Sequence, residues 1–568
     1  MKNPVPKSEL NPVPQRPFFS SSVNAIKLTS LLCVTFLLQG LAGCATNPVT
    51  GKSELSIVSE AWELKTGAQQ YLPARQSQGG DYVADPAVQA YVQEVGNKVA
   101  AVSDRSLPYE FSVINDSTPN AWALPGGKIA INRGLLTELD SEAELAAVLG
   151  HEVVHAAAKH SAKSVQRAVL LQAAVAATGV AAADSDYSGV AVIGASAGAA
   201  LLSSKYGRDA ERESDLYGMN YMSRAGYDPQ GAVDLQRTFV DLKDSQQPDF
   251  LQGLFASHPP SQERLQANRI HVANLPAGGI QGRQRYRDVM QRLTQTKPGY
   301  KAYDEAKQAL SDNRTKAARR LVNQAIDIEP NEGHFFALLG DIEAQENKLG
   351  AADTAFDQAI ALNPNFFYPL LRSGVVNEKR GRTSKAKRHL NRSLELLQTA
   401  QAYGALGAIA EREGNTQEAE ELYAKAATDG GATGQAALTS LVTLRSKERP
   451  ESVVDLRWGT DTDGTLVIEA TNTTPRSLQG IDLQVRLIDG QGNRRSYNQR
   501  ITILSPNQTR RLATGLQAGP NQVQGCCYRY SKGFGRLRPL PGKDQNPCHI
   551  GSLRVDRIHG SQSCGASE

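Results

Sequence analysis

The stretch LAAVLGHEVVHAAAKHSAK, residues 145–163, sets His151 and His155 four positions apart with Glu152 beside the first. On a helix, positions four apart share a face, so both imidazoles can converge on one ion, as HExxH does for zinc. Glu152 lies about 100° around the helix axis, beside such a metal rather than on it. Zinc lowers the pKa of water from about 15.7 to about 7, which makes hydroxide accessible near neutrality. A neighbouring carboxylate can take up that proton and later hand it to a leaving amine. Without such a purpose, two imidazoles and a carboxylate in an apolar helix are costly.

The histidine pair needs a third ligand. The extended pattern HExxHxxGxxH fails, because Ala158 and Ser161 stand where Gly and His are required. His160 is one residue off and reads as solvent-facing. The segment YGRDAERESDLYGMNYM, residues 206–222, offers a carboxylate instead. Glu211 and Asp215 are four apart and share a face, whereas Glu213 points elsewhere. The expected set is His151, His155 and Glu211 around one zinc ion per chain, with Glu152 as general base and acid. Asp215 is expected behind a ligand imidazole, accepting its hydrogen bond and fixing its tautomer.

HEVVH followed by RDAERESD resembles the envelope zinc metallopeptidase family that includes HtpX and the CAAX prenyl protease. Gly207 and Ser214 stand where that family usually carries Ser and Ala. The resemblance implies a mainly α, zincin-type fold with a small edge-strand sheet. FSVINDSTPNAWALPGGKIAINRGLL, residues 111–136, resembles the family's strand segment. There Asn120, Ala121, Trp122 and Ala123 would form an edge strand that pairs with an extended substrate backbone. SHPPSQERL, residues 257–265, resembles its His-Pro segment, so His258 is a candidate either to cap the metal at rest or to stabilise the oxyanion.

The elements that must position these residues follow from local signals. Ser141 and Glu144 have capping-box spacing ahead of the HEVVH helix. The Ala- and Gly-rich segment 169–202 reads as helices over the active site, since neither half is long enough to span a bilayer. Farther on, Ala318, Ala352, Ala386 and Ala419 recur every 33 or 34 residues, and Pro330 and Gly340 recur at Pro364 and Gly374. This resembles the tetratricopeptide repeat, with about four units stacking into an α-solenoid with a concave surface. After Lys447-Glu448-Arg449-Pro450 the apolar period drops to two in TLVIEATNTT and IDLQVRLID, which reads as an antiparallel β-sandwich.

At the N-terminus, Lys27, an apolar stretch over 28–41 and Leu41-Ala42-Gly43-Cys44 describe an export signal. Its ending resembles the lipobox of bacterial lipoproteins, which implies acylation of Cys44 and an outer-membrane anchor facing the periplasm. Cys526, Cys527, Cys548 and Cys564 read as two disulfides joining each of the adjacent pair to one of the other two, with a metal site as the alternative. The expected layout is a signal over 1–43, a metallopeptidase domain over 44–295, repeats over 296–446 and a β-sandwich over 451–568. The whole resembles envelope chaperone-proteases that serve β-barrel assembly.

A chain of 568 residues accommodates about three or four domains. A net charge of only +4 argues against nucleic acid as the partner. The expected partners are unfolded or misassembled envelope proteins, the outer-membrane β-barrel assembly machinery, and the membrane through an N-terminal lipid. A scaffold or chaperone, in which the repeats bind partners and the metal site does not cleave, is the rival. An intact Glu152 counts against it, since structural zinc needs no base.

Overall fold

A computed structural model describes residues 43–56, 58–166, 206–244, 258–489, 494–517, 523–530, 533–536, 538–539 and 552–559. The export signal before Gly43, the segment 169–202, and Cys548 and Cys564 lie outside the described residues, as do the side chains of Cys44, Cys526 and Cys527.

The chain opens with a hairpin, β1 (Gly43–Thr46) against β2 (Ser53–Ser56). Helices Glu60–Ser77 and Pro86–Ala100 follow, and then a three-stranded sheet. In it β5 (Lys128–Asn132) is central, parallel to β3 (Glu110–Ile114) and antiparallel to β4 (Ala121–Leu124). β4 is an edge strand, and it begins at Ala121; Asn120 precedes it in the connecting loop. All of β4 and β5 is buried, because helices cover the sheet.

The HEVVH helix, Glu142–Ala157, starts as its sequence dictates. Ser141 Oγ accepts from Glu144 N at 3.1 Å, and the Glu144 carboxylate accepts from Asp140 N at 2.9 Å, one residue before the expected partner. This helix runs through the core beside helix Arg208–Arg224, and glycines permit the approach. A Cβ on Gly218 would lie 3.0 Å from His151 N, and one on Gly150 would lie 3.0 Å from Gly218 O. Helices Gln230–Asp244 and Gln262–Val272 complete this part.

Helix Arg283–Ser311 then passes without a break from this part into the repeats, so residue 296 falls inside it. It pairs with Thr315–Ile328. Three further helix pairs follow, Gly333–Gln345 with Leu349–Leu362, Phe367–Lys379 with Thr383–Leu396, and Ala400–Arg412 with Thr416–Ala426; Ala432–Glu448 closes the array. The recurring alanines at 318, 352, 386 and 419 are each fully buried. Within a pair, glycine on the first helix receives a large side chain from the second: a Cβ on Gly340, Gly374 or Gly407 would lie 2.6–2.8 Å from Phe356, Leu390 or Tyr423, each sixteen residues on.

The C-terminal region forms two sheets. One has the order β10-β7-β6-β13, where β6 is Val454–Thr460, β7 Thr465–Asn472, β10 Thr509–Gln517 and β13 Arg538–Pro539. The other centres on β8 (Ser477–Asp489), flanked by β9 (Arg494–Leu504), β11 (Val523–Tyr530) and β14 (Ser552–His559), with β12 (Gly533–Arg536) beside β11. Pairing is antiparallel except for the short β13 beside β6. The alternating residues Leu466, Ile468 and Ala470 face Ile481, Leu483 and Ile501 in one apolar core, consistent with a small sandwich. Val442, from the last helix of the array, joins that core.

Candidate functional site

The two helices held together by Gly150 and Gly218 converge on one point. His151 Nε2 and His155 Nε2 lie 3.0 Å apart. Glu211 brings Oε2 to 3.6 Å from the first and Oε1 to 3.4 Å from the second. His258 arrives from beyond helix Gln230–Asp244, with Nδ1 3.3 Å from His151 Nε2 and 3.0 Å from Glu211 Oε1. One ligand atom from each of these four side chains lies within 4.8 Å of the others. Zinc–nitrogen bonds of about 2.0–2.1 Å at tetrahedral angles set donors about 3.3–3.4 Å apart, so the donor set suits one metal ion. Buried His258 Nε2 and Glu152 Oε2 have no hydrogen-bond partner among the described residues, which leaves polar capacity free in the cluster.

Asp215 sits behind His151, with Oδ1 3.1 Å from Nδ1. Arg264 grips Asp215 twice, Nε donating to Oδ2 at 2.6 Å and Nη2 to Oδ1 at 2.7 Å, and its Nη1 lies 2.9 Å from Glu211 Oε2. Arg264 belongs to SHPPSQERL but went unmarked in the sequence, because nothing local ties it to a carboxylate 49 residues earlier.

His160 departs from expectation. It is buried, and its Nδ1 lies 2.9 Å from Nδ1 of His155. The reason is local: the helix ends at Ala157, and Lys159 takes φ 61°, which turns the chain back toward the site. Glu213 also has a partner, with Oε1 3.4 Å from His160 Nε2.

Tyr206 was unforeseen as well. Its ring stacks on His155 at 3.9 Å between centroids. Its hydroxyl donates to the Ala123 carbonyl at 3.3 Å, and Ser161 Oγ donates to the same oxygen at 3.1 Å. Asn132 N donates to Asn120 O, so Asn120, Trp122 and Leu124 turn their backbone groups to β5, while Ala121 and Ala123 face outward. The outward carbonyl of Ala123 is therefore already occupied. A cavity of about 40 Å³ beside the cluster is lined by Ala121, His151, Glu152, Asp215, His258 and Arg264 among others.

The electrostatics match this burial. Desolvation raises the pKa of Glu152 and drives that of His155 well below the ordinary histidine value. Burial also opposes ionisation of Glu211, but His258, His155 and His151 outweigh it and hold the carboxylate down. Asp215 is held down against burial by Arg264 and His151. For His258, burial is outweighed by Glu211 and Glu152, which push it up to about 8.

Residues 86–270 match the sequence model of peptidase family M48. A tetratricopeptide-repeat model matches residues 334–366. One chain thus carries a segment similar to M48 peptidases ahead of a segment similar to tetratricopeptide repeats. The β-barrel assembly-enhancing protease of Escherichia coli K12 is 25% identical over 379 residues, 61% of this chain and 76% of its own length. A relative from Vibrio cholerae is 31% identical over 205 residues, 34% of this chain and 41% of its own. The mitochondrial metalloendopeptidase OMA1 of Schizosaccharomyces pombe is 38% identical over 177 residues, 31% of this chain and half of its own length. The chain thus spans half or less of the latter two. Among the described residues, no helix is long and apolar enough to cross a membrane.

Proposed function

We propose that this protein is a zinc endopeptidase of the bacterial envelope that acts on misfolded or misassembled outer-membrane and periplasmic proteins. The observation that carries the reading is the convergence of Glu211 on the HEVVH pair, within 3.6 Å of both imidazoles. His151, His155 and Glu211 would hold the ion. Zinc bound there supplies Lewis acidity, both acidifying water and polarising a scissile carbonyl. Glu152, fully desolvated, accepts a proton at its carboxylate and returns it to the leaving amine. Its raised pKa suits both halves of that task. Asp215, locked by Arg264, keeps the Nδ1 proton on His151 and so leaves Nε2 free to donate its lone pair.

An extended substrate would add to β4 at Ala121 and Ala123. It must first displace Tyr206 and Ser161 from the Ala123 carbonyl, and His258 from the cluster. The repeats would recruit clients or the β-barrel assembly machinery, and acylation of Cys44 would hold the chain at the outer membrane facing the periplasm. The occupied Ala123 carbonyl also favours the rival reading of a non-cleaving scaffold. The two separate with Glu152→Gln: a peptidase loses cleavage of an unfolded β-barrel protein while keeping zinc, and a scaffold keeps its full envelope function.

A further inference from the structure

The two histidines of HEVVH are supported from behind by different means. Behind His151 stands a carboxylate, Asp215. Behind His155 stands another imidazole. We propose that His160, Glu213 and Asn47 form a positioning chain that fixes the ring of His155 and ties it to the N-terminal hairpin.

Proton bookkeeping supports the chain. His155 turns Nε2 toward His151 and Glu211, so a metal held there needs the Nε2 lone pair. The ring proton then sits on Nδ1, which is 2.9 Å from Nδ1 of His160. His160 must accept there and therefore carries its own proton on Nε2, which faces Glu213 Oε1 at 3.4 Å. The same Oε1 accepts from Asn47 Nδ2 at 3.3 Å. Each donor meets an acceptor, and in this direction one tautomer of each ring satisfies the line. His155, His160 and Asn47 are all buried, so a misplaced proton would leave a polar group without a partner.

The far end is anchored. Asn47 occupies the turn between β1 and β2, where its Oδ1 accepts from Val49 N at 2.9 Å and Thr50 N at 3.2 Å. Val49 is part of the main apolar core. Glu54 of β2 accepts a second bond from Asn47 Nδ2 at 3.1 Å and pairs with Lys163 at 2.5 Å. The hairpin is thus clamped at Lys163, three residues past His160, and at Glu213, which faces His160. Cys44, the residue whose acylation the lipobox resemblance implies, lies three residues before Asn47, a reach of about 10 Å.

The inference rests on the metallopeptidase reading for what the metal does, but not for how the metal is held. The test is therefore read without substrate. Full-length protein and variants are titrated with zinc against a chromophoric chelator, and the absorption bands of the cobalt(II)-loaded forms are recorded. Circular dichroism melting of the metal-free forms serves as the folding control. Glu213→Gln is expected to weaken zinc binding about 10-fold and His160→Phe up to about 100-fold, with shifted cobalt bands. His160→Gln, whose amide can accept from His155 and donate to Glu213, restores most of the loss. Asn47→Ala weakens binding severalfold, and Asp209→Asn, on the exposed side of the same helix, leaves it unchanged. Wild-type zinc affinity in folded Glu213→Gln and His160→Phe would overturn the chain, and wild-type affinity in Asn47→Ala would overturn its tie to the hairpin. If the variants lose zinc as expected while the loaded wild type cleaves nothing, the peptidase reading fails and the positioning chain stands.

Discussion

In the repeat array, a glycine on one helix receives a large side chain sixteen residues further on, and the same contact recurs in three successive pairs. At the metal cluster, Gly150 and Gly218 also let two helices touch, but the ligands they bring together, His151 and Glu211, are 60 residues apart, and His258 is 107 from His151. The array therefore spreads its stability over interchangeable local contacts. The cluster concentrates function in a few irreplaceable long-range ones. A lesion in the first should cost stability in proportion to its size, whereas a lesion in the second should abolish an activity and barely move the fold.

The sharpest break of this contrast is Glu152→Gln. Cleavage of an unfolded envelope protein should fall by about 10³-fold or more, with zinc content by elemental analysis and melting temperature near wild type. Glu211→Ala comes next: zinc affinity should drop at least about 100-fold by chelator competition, since a direct ligand is lost and supporting residues alone contribute about 10–100-fold. Retained tight binding would mean that His258, not Glu211, completes the set. On the array side, Gly374→Val should lower the unfolding free energy by about 2 kcal/mol, because its Cβ would press on Leu390 at 2.6 Å. Zinc affinity should not change; if it falls, the two regions are coupled more tightly than the contrast allows.

An effect of similar size is a pH dependence. In metal-free protein His258 titrates near 8, above the ordinary value of about 6.5. A raised histidine pKa gives stability that is fully present below about 6.5 and is lost as pH rises through 8. The melting temperature of metal-free wild type should therefore fall across that window by the equivalent of about 2 kcal/mol. His258→Gln should flatten the fall.

The same contrast explains what was legible in the sequence. Repeat pairs are made of neighbours, so Ala318, Ala352, Ala386 and Ala419 announced them through their period, and every one is buried. Alternation likewise marked Leu466, Ile468 and Ala470 as the inward face of a strand. At the cluster, each helix carried its own half of the signal. The four-residue spacings of His151 with His155 and of Glu211 with Asp215 placed each pair on one face. Arg264 was invisible because its partners lie 49 and 53 residues away and no helical spacing relates them. His160 misses the HExxHxxGxxH position by one and so reads as solvent-facing, but the helix ends at Ala157 and the left-handed Lys159 turns the chain back toward the site. Tyr206 carried no polar pattern, and only folding sets it against His155.

Helix Arg283–Ser311 carries one more consequence. Near its start Tyr286 donates to the Leu136 carbonyl beside the three-stranded sheet, and toward its end Ala302, Ala306 and Ala309 are buried in the apolar core that reaches the first repeat pairs. It is a beam built into both masses, and the repeats also bear directly on the N-terminal part, where Gln76 bonds Asn365 O and Phe367 N and Asn115 donates to Glu332. Pro298 has no N–H to give and interrupts the beam's hydrogen bonding in the interior of this helix. Any shift of the repeats against the three-stranded sheet must both break those contacts and bend the beam, and Pro298 is where bending meets least resistance.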